Sequence, residues 1–150
     1  MISYPTIDPV AFYLGPLKIH WYGLSYMAGL LLGWKWVCWL CRRFHISFSP
    51  QGHANSVKIF SDYIPYAALG IVLGGRLVHA IFYQLPYYSE KPWEVFYIWQ
   101  PGMSFHGGLI GVLLVTLWYI KRYHLNWKIF LDLVALATPL GLLCGRLANF

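Results

Sequence analysis

The sequence predicts an all-α protein, a polytopic membrane bundle of about four transmembrane helices with its N-terminus outside. Of its 150 residues, 59% are hydrophobic and 11% are charged, whereas soluble domains carry about 25% charged residues. Such a chain cannot cover a globular surface with polar groups, which excludes an ordinary soluble enzyme, a disordered chain and a disulfide-stapled secreted module. Four long apolar stretches are each long enough to cross about 30 Å of hydrocarbon as a helix.

These stretches predict spans at about 22–40, 63–83, 104–120 and 130–150, within one membrane domain that covers residues 1–150. Backbone exposed to lipid must form its hydrogen bonds within the segment, so helices are the expected form. Each span also contains two glycines four residues apart, which share a helix face and let another helix approach closely. The pairs are Gly29 with Gly33, Gly70 with Gly74, Gly107 with Gly111, and Gly141 with Gly145. They predict a compact bundle.

The distribution of lysine and arginine predicts the orientation of the bundle. The loops after the first and third spans contain Arg42, Arg43, Lys58, Lys121, Arg122 and Lys128, whereas the opposite side has Lys18 and Lys91. Both basic loops are therefore expected in the cytoplasm. Topology accounts in this way for most of the net charge of +6. The cations form no stripe of the kind that nucleic-acid-binding proteins use, so no nucleic acid is expected as a partner.

Several polar side chains fall inside the predicted spans, where burial in lipid is costly and a functional role is the default interpretation. Arg76 lies deep in the second span, and His79 and Tyr83 follow it on the same helix face. The other candidates, near the outer ends of the remaining spans, are Tyr22, His106, Arg146 and Asn149. Any one of them alone is compatible with an interfacial residue that reaches the headgroups. Their common depth in four helices favours a shared site.

The residue types in this set suit an anionic ligand that arrives from the lipid. Arginine binds phosphate through a bidentate fork, and histidine exchanges a proton near neutral pH. The set has no carboxylate and no spacing typical of zinc ligands, so neither a metal nor another cofactor is predicted. Cys38 and Cys41 form a CxxC, but within an apolar helical run, and together with Cys144 they are interpreted as buried thiols.

Four sequence runs resemble the bacterial prolipoprotein diacylglyceryl transferase family. They are His20-Trp21-Tyr22-Gly23, Gly74-Gly75-Arg76, Gly102-Met103-Ser104-Phe105-His106-Gly107-Gly108-Leu109-Ile110-Gly111, and Gly145-Arg146-Leu147-Ala148-Asn149-Phe150. The runs occur in the family's order across nearly the whole chain, and the ten-residue run around His106 is very specific.

The resemblance implies an enzyme of the bacterial cytoplasmic (inner) membrane whose site lies toward the outer, periplasmic half. Such an enzyme transfers the diacylglyceryl group of phosphatidylglycerol to the lipobox cysteine thiol of a prolipoprotein, forming a thioether and releasing glycerol 1-phosphate. Its expected partners are phosphatidylglycerol, other membrane lipids and prolipoprotein signal peptides.

The resemblance also distributes roles among the candidate residues. His106 and Arg146 match the family's important histidine and its signature arginine, and we expect them to be catalytic. His106 either accepts the thiol proton or orients the lipid headgroup, and the sequence leaves both roles open. The expected substrate-binding residues are Tyr22, Arg76, His79, Tyr83 and Asn149.

The chain departs from the family pattern in three respects. Ala148 stands where the signature has a second glycine, and His79 stands where a tyrosine often follows the second-span arginine. Family members are also longer, so we expect this chain to be the N-terminal part of an enzyme and to be inactive alone. The alternative function is a membrane transporter or lipid-binding subunit that holds an anionic headgroup without chemistry. A purely structural bundle does not explain Arg76.

Overall fold

The long apolar runs form helices in the computed structural model, which describes residues 10–14, 17–50, 52–97 and 102–147. The helices are α1 (Trp21–Arg43), α2 (His53–Tyr83), α3 (Leu85–Glu90), α4 (Phe105–Arg122) and α5 (Trp127–Leu147), with a 3₁₀ helix at Pro92–Phe96 between α3 and α4. The all-α class of a polytopic membrane bundle is confirmed. Three of the helices are long and apolar enough to cross a membrane: α1 over Gly23–Arg43, α2 over Asn55–Tyr83, and α5 over its whole length.

The remaining predicted span corresponds to α4, which has 18 residues. It ends with two charged residues, Lys121 and Arg122. Lysine and arginine at a helix end can reach the headgroup region while their stems stay in the apolar layer. A fourth transmembrane helix therefore stays a prediction.

The helix bounds agree with the predicted spans except at the start of α2. α2 begins at His53, well before the predicted 63. Its first turns expose Lys58 and Asp62 but bury Ser56 and Phe60, so they form an amphipathic helix rather than an apolar run. The last predicted span reached 150, and residues 148–150 lie outside the described part.

A short antiparallel hairpin precedes α1, and the sequence analysis did not predict it. Its strands are β1 (Val10–Leu14) and β2 (Leu17–His20), paired with Val10 opposite His20 and Tyr13 opposite Lys18. β2 ends where α1 begins. The His20-Trp21-Tyr22-Gly23 run therefore lies at the junction of a strand and a helix.

The helices pack as two pairs, α2 with α4 and α1 with α5. The predicted glycine pairs lie at these contacts. A Cβ added at Gly70 would lie 2.9 Å from the carbonyl oxygen of Gly111, and one added at Gly29 would lie 2.8 Å from Cα of Gly141. The glycines thus bring helices of this same chain together. Gly141 is different, because a Cβ there would meet nothing within 4 Å.

The two pairs are joined where the α1–α2 and α4–α5 loops meet. The Asn126 N–H donates to the Phe48 carbonyl oxygen at 2.9 Å, which links one loop to the other. Beneath them lies a buried aromatic cluster of Phe48, Phe60, Tyr63, Tyr119 and Phe130.

Arg42 and Arg43 end α1, Lys121 and Arg122 end α4, and Lys128 lies in the first turn of α5. We call this the basic end of the bundle. The opposite end, where α1 and α4 begin and α2 and α5 end, is the site end. The structure thus places the predicted basic loops side by side, while the side of the membrane they face stays a prediction.

Candidate functional site at one end of the bundle

Most of the predicted site residues lie at the site end. His106 is in the first turn of α4, Arg146 is in the last turn of α5, and Arg76, His79 and Tyr83 are in the last turns of α2. Tyr22 lies in the first turn of α1, and its side chain is outside the described part of the structure, as is the whole of Asn149. The described candidates on α2, α4 and α5 therefore lie at the same end of the bundle.

Arg76 is buried, with 3% of its surface exposed. Its guanidinium donates hydrogen bonds to the backbone carbonyl oxygens of Val95 (3.1 Å), Tyr97 (2.8 Å) and Gly102 (2.8 Å). The Tyr88 ring lies beside it, with 5.9 Å from Cζ to the ring centroid. Arg76 therefore contacts the segment between α2 and α4, which we call the connector and define as residues 84–97 and 102–104.

The connector also has local interactions that order it. α3 and the 3₁₀ helix are joined by a hydrogen bond that the Tyr87 hydroxyl donates to Glu94. This bond favours the protonated phenol and raises the pKa of Tyr87 above its ordinary value. Lys91 lies 3.7 Å from the other oxygen of the same carboxylate. These contacts are exposed, so they contribute little to stability compared with the buried bonds of Arg76.

His79 and Tyr83 lie one turn apart on α2 with their rings stacked, at 5.6 Å between centroids and an interplanar angle of 15°. Tyr83 is 66% exposed. The Nε2 atom of His79 is buried and has no hydrogen-bond partner among the described residues. It lies against Gly102, whose φ of +117° is in the region that favours glycine, and a Cβ at Gly102 would collide with the His79 ring.

The start of α4 is set by Ser104, which caps the helix. Its hydroxyl oxygen accepts a hydrogen bond from the Gly107 N–H at 3.3 Å, and its own N–H donates to the Gly75 carbonyl oxygen at 2.9 Å. His106, two residues later, is exposed and makes an edge contact with the neighbouring Phe105 ring. The cap thus fixes the helix while leaving the imidazole accessible.

Arg146 is exposed at the end of α5. Its neighbour Gly145 packs on α1, where an added Cβ would lie 2.8 Å from Cζ of Tyr26. This close approach sets the position of Arg146 beside α1. Among the described residues, no hydrogen bond or ion pair links Arg146 with Arg76, His79 or His106, so the structure brings these groups to one end without joining them directly.

Three further kinds of feature are relevant to a functional role: groups of metal-ligating side chains, surface depressions and cysteines. No three His, Cys, Asp or Glu side chains within the described ranges are grouped in a way that could hold a metal ion. A shallow depression lies at the basic end, lined by residues 47–50 and 124–128, far along the helices from His106. Cys38 and Cys41 are free and buried, as predicted, whereas Cys144 is free but only partly buried, so the interpretation of a buried thiol is wrong there.

The sequence analysis missed the residues that organise the site end. Tyr26, Tyr88, Gly102 and Ser104 were not singled out for a role, and neither were the connector carbonyls. Ser104 carried a usable signal, because a serine directly before an apolar helical run is a typical N-cap. The connector carbonyl oxygens carried no such signal, because every residue has a backbone carbonyl and the sequence does not distinguish one from another.

Comparison with known proteins identifies relatives for nearly the whole chain. The family model for prolipoprotein diacylglyceryl transferase matches residues 9–150. The phosphatidylglycerol–prolipoprotein diacylglyceryl transferase of Nitrosospira multiformis is 44% identical, with 100% of this chain and 50% of the relative covered. For that of Azospirillum brasilense the values are 45%, 99% and 53%, and for that of Bordetella parapertussis 48%, 100% and 55%. The chain spans about half the length of the curated relatives it matches.

Proposed function

The chain belongs to the prolipoprotein diacylglyceryl transferase family, and we propose that the protein transfers the diacylglyceryl group of phosphatidylglycerol to a prolipoprotein. The acceptor is the thiol of the lipobox cysteine in the signal peptide. The observation that carries this proposal is the family match over residues 9–150. The alternative of a transporter or lipid-binding subunit is not favoured, because the relatives reported above carry the names of transferases.

The proposed reaction exchanges one bond for another at a single carbon. The cysteine sulfur forms a C–S bond to the diacylglyceryl carbon that carries the phosphate ester, and the C–O bond to the phosphate breaks. Glycerol 1-phosphate leaves with the electron pair of that bond. The attacking species is the thiolate, and a free thiol with a pKa of about 8.5 is mostly protonated at neutral pH. The reaction therefore needs a group that accepts the thiol proton and cations that stabilise the departing phosphate.

We assign these tasks to His106 and Arg146. His106 either accepts the thiol proton or orients the headgroup, and its exposure in the first turn of α4 suits contact with a substrate in either role. Arg146 binds the phosphate and stabilises the charge that grows on it as the C–O bond breaks. Its exposure at the end of α5 supports this role, because a lipid headgroup can reach it.

The proposed headgroup-binding residues are Tyr22, His79, Tyr83 and Asn149. Tyr83 is the most exposed of the described ones, and its hydroxyl is suited to a hydrogen bond with the glycerol or phosphate. The Nε2 atom of His79, which has no partner among the residues described, is a further acceptor or donor one turn away from Tyr83. Phosphatidylglycerol offers phosphate oxygens and two glycerol hydroxyls, which can pair with such groups.

We propose that the protein lies in the bacterial cytoplasmic membrane with its basic end in the cytoplasm. The support is the cluster of arginines and lysines that ends α1 and α4 and begins α5, since cytoplasmic loops carry an excess of these residues. This orientation places the site end, with His106 and Arg146, in the outer half of the membrane.

The test is a transfer assay with the complete gene product, phosphatidylglycerol vesicles and a synthetic lipobox peptide, read by mass spectrometry. We expect the peptide to gain the mass of one diacylglyceryl group, and a peptide with serine in place of the cysteine to gain none. Arg146→Ala is expected to lower the rate roughly 10²–10³-fold, the loss typical of one preorganised donor. Arg122→Lys, at the basic end, is the matched control and should leave the rate unchanged.

The outcomes are distinguishable. No mass gain with the wild-type protein contradicts the proposed function, and near-normal rates with Arg146→Ala contradict the role of that residue. For His106, a His106→Gln variant with full activity and an unchanged pH profile would remove it from proton transfer.

A further inference from the structure

We propose that Arg76 is a positioning residue that fixes the connector over the site end and thereby sets the place of His106. The sequence predicts a different role, direct binding of the lipid phosphate. The effect of Arg76 on catalysis rests on the proposed function, whereas its effect on the connector does not.

The direction of the Arg76 hydrogen bonds supports this role. All three donor nitrogens of the guanidinium are used, each on a different backbone carbonyl of the connector. Two of these carbonyls, those of Val95 and Tyr97, precede residues 98–101, and the third, that of Gly102, follows them. One side chain therefore ties the connector on both sides of this segment to the same turn of α2. Because these donors point in fixed, divergent directions, a lysine ammonium cannot reproduce the pattern.

The chemistry of the connector explains why a buried arginine belongs there. Tyr97 and residues 102–104 lie outside the helices, so their backbone does not form the repeating bonds of a helix. Buried carbonyl oxygens without a donor are costly, most of all next to lipid. The guanidinium supplies the missing donors, and the carbonyl oxygens in turn stabilise its charge at 3% exposure. The Tyr88 ring, 5.9 Å from Cζ, covers another part of it.

The position of the connector is passed on to His106 through Ser104. The Ser104 N–H is bonded to the carbonyl oxygen of Gly75, the residue directly before Arg76, at 2.9 Å. Ser104 also caps α4 through the Gly107 N–H. His106 lies between these two anchored residues. If the connector shifts, the cap and the imidazole shift with it, and a displacement of about 1 Å can lower a catalytic rate roughly 10²-fold.

The first measurement is hydrogen–deuterium exchange on the complete gene product in detergent without phosphatidylglycerol. Arg76→Lys keeps the charge but loses the divergent donors, and we expect amide exchange in 92–97 and 102–105 to rise roughly tenfold or more, as local opening becomes easier. Exchange in α1 and α5 should stay unchanged. Arg122→Lys, an exposed arginine on α4, is the matched control and should change neither segment. Unchanged exchange in the connector of Arg76→Lys would overturn the proposal.

The second measurement separates positioning from phosphate binding. For Arg76→Lys we expect kcat to fall roughly 10²-fold while the apparent KM for phosphatidylglycerol stays within about threefold of wild type. A large rise in KM with kcat and connector exchange unchanged would assign Arg76 to the phosphate and overturn the proposal. If the wild-type protein shows no transfer, the proposed function fails, and the exchange measurement still tests the role of Arg76 in the connector.

A milder variant covers the case in which Arg76→Lys unfolds the protein. Tyr88→Leu removes the aromatic ring beside the guanidinium and leaves all three hydrogen bonds possible. We expect a rise of about threefold in exchange in 92–97 and 102–105, in keeping with one modest cation–π contact, with α1 and α5 unchanged. If Arg76→Lys unfolds and Tyr88→Leu leaves connector exchange at the wild-type level, the proposal is wrong.

Discussion

The two ends of the bundle are held together in different ways. At the basic end, large side chains fill the space between helices, with Phe130 in ring contact with Phe48 at 5.2 Å and with Tyr63 at 5.1 Å between centroids. The Tyr63 hydroxyl is hydrogen-bonded to Thr116 at 2.6 Å. At the site end, glycine backbones touch directly, and Gly74 on α2 packs against Gly107 and Gly111 on α4.

This difference in packing indicates that the basic end contributes mainly to stability, whereas the site end fixes the geometry of the candidate site. Interlocking side chains at the basic end contribute packing energy. Direct backbone contact at the site end holds α2 and α4 in a fixed relation without using their side chains. Arg76, His79 and His106 therefore lie on helices that backbone contact holds in place, as a preorganised site requires. Substitutions at the two ends should accordingly have different consequences.

The largest expected effect on stability is at the basic end. Phe130→Ala removes a fully buried ring, and we expect a loss of about 3 kcal/mol in the free energy of unfolding in detergent. The value lies at the low end for such changes because lipid is as apolar as the protein interior, so the loss is mainly one of packing contacts. The measurement is a denaturant titration followed by tryptophan fluorescence. A loss below about 1 kcal/mol would mean that this cluster does not hold the helix pairs together.

A smaller effect on stability, with a larger effect on transfer, is expected at the site end. In Gly74→Ala the added Cβ would lie 2.8 Å from Cα of Gly111 and nearer still to the Gly107 carbonyl oxygen, which forces α2 and α4 apart. We expect a loss of about 1–3 kcal/mol, typical of overpacking, together with a lower transfer rate. The free energy of unfolding is measured by denaturant titration and the transfer rate by mass spectrometry, on the same preparation.

Gly141→Ala is the matched control for that prediction, since it adds the same methyl group to a membrane helix where nothing lies within 4 Å. Stability and transfer should stay at the wild-type level, or stability should rise by up to about 1 kcal/mol because alanine favours the helix more than glycine does. Equal losses for Gly74→Ala and Gly141→Ala would show that close backbone contact does not distinguish the site end.

The smallest expected effect on stability is at His79. His79→Phe keeps a ring that can stack on Tyr83 and removes the buried Nε2 atom, which has no partner in the part of the chain that the structure describes. We expect stability to be unchanged or to rise by about 1 kcal/mol, because an unsatisfied buried polar atom is replaced by carbon. The apparent KM for phosphatidylglycerol should rise if His79 binds the headgroup as proposed. A drop in stability would show that the ring nitrogen takes part in a bond.

The sequence by itself determined the class of the protein and the layout of its ends. With so few charges and four long apolar runs, helices in a membrane are the physical solution available, because lipid cannot hydrogen-bond to exposed backbone. The predicted spans agree with α1, α4 and α5, and the cations cluster at one end. The glycine pairs also indicated close helix contacts. All of these properties depend on residues near one another in the chain, which is why composition and spacing carry them.

Only the tertiary structure decided how the candidate residues are used. Arg76 was singled out because arginine is costly in lipid, but its partners are the carbonyl oxygens of Val95, Tyr97 and Gly102, which become neighbours only when the connector folds back on α2. The early start of α2 likewise depends on the burial of Ser56 and Phe60 against other helices. Hydropathy and motifs depend on the type of each residue and its neighbours in the sequence. The hydrogen-bond partners of a side chain that are distant in the sequence depend on the path of the backbone.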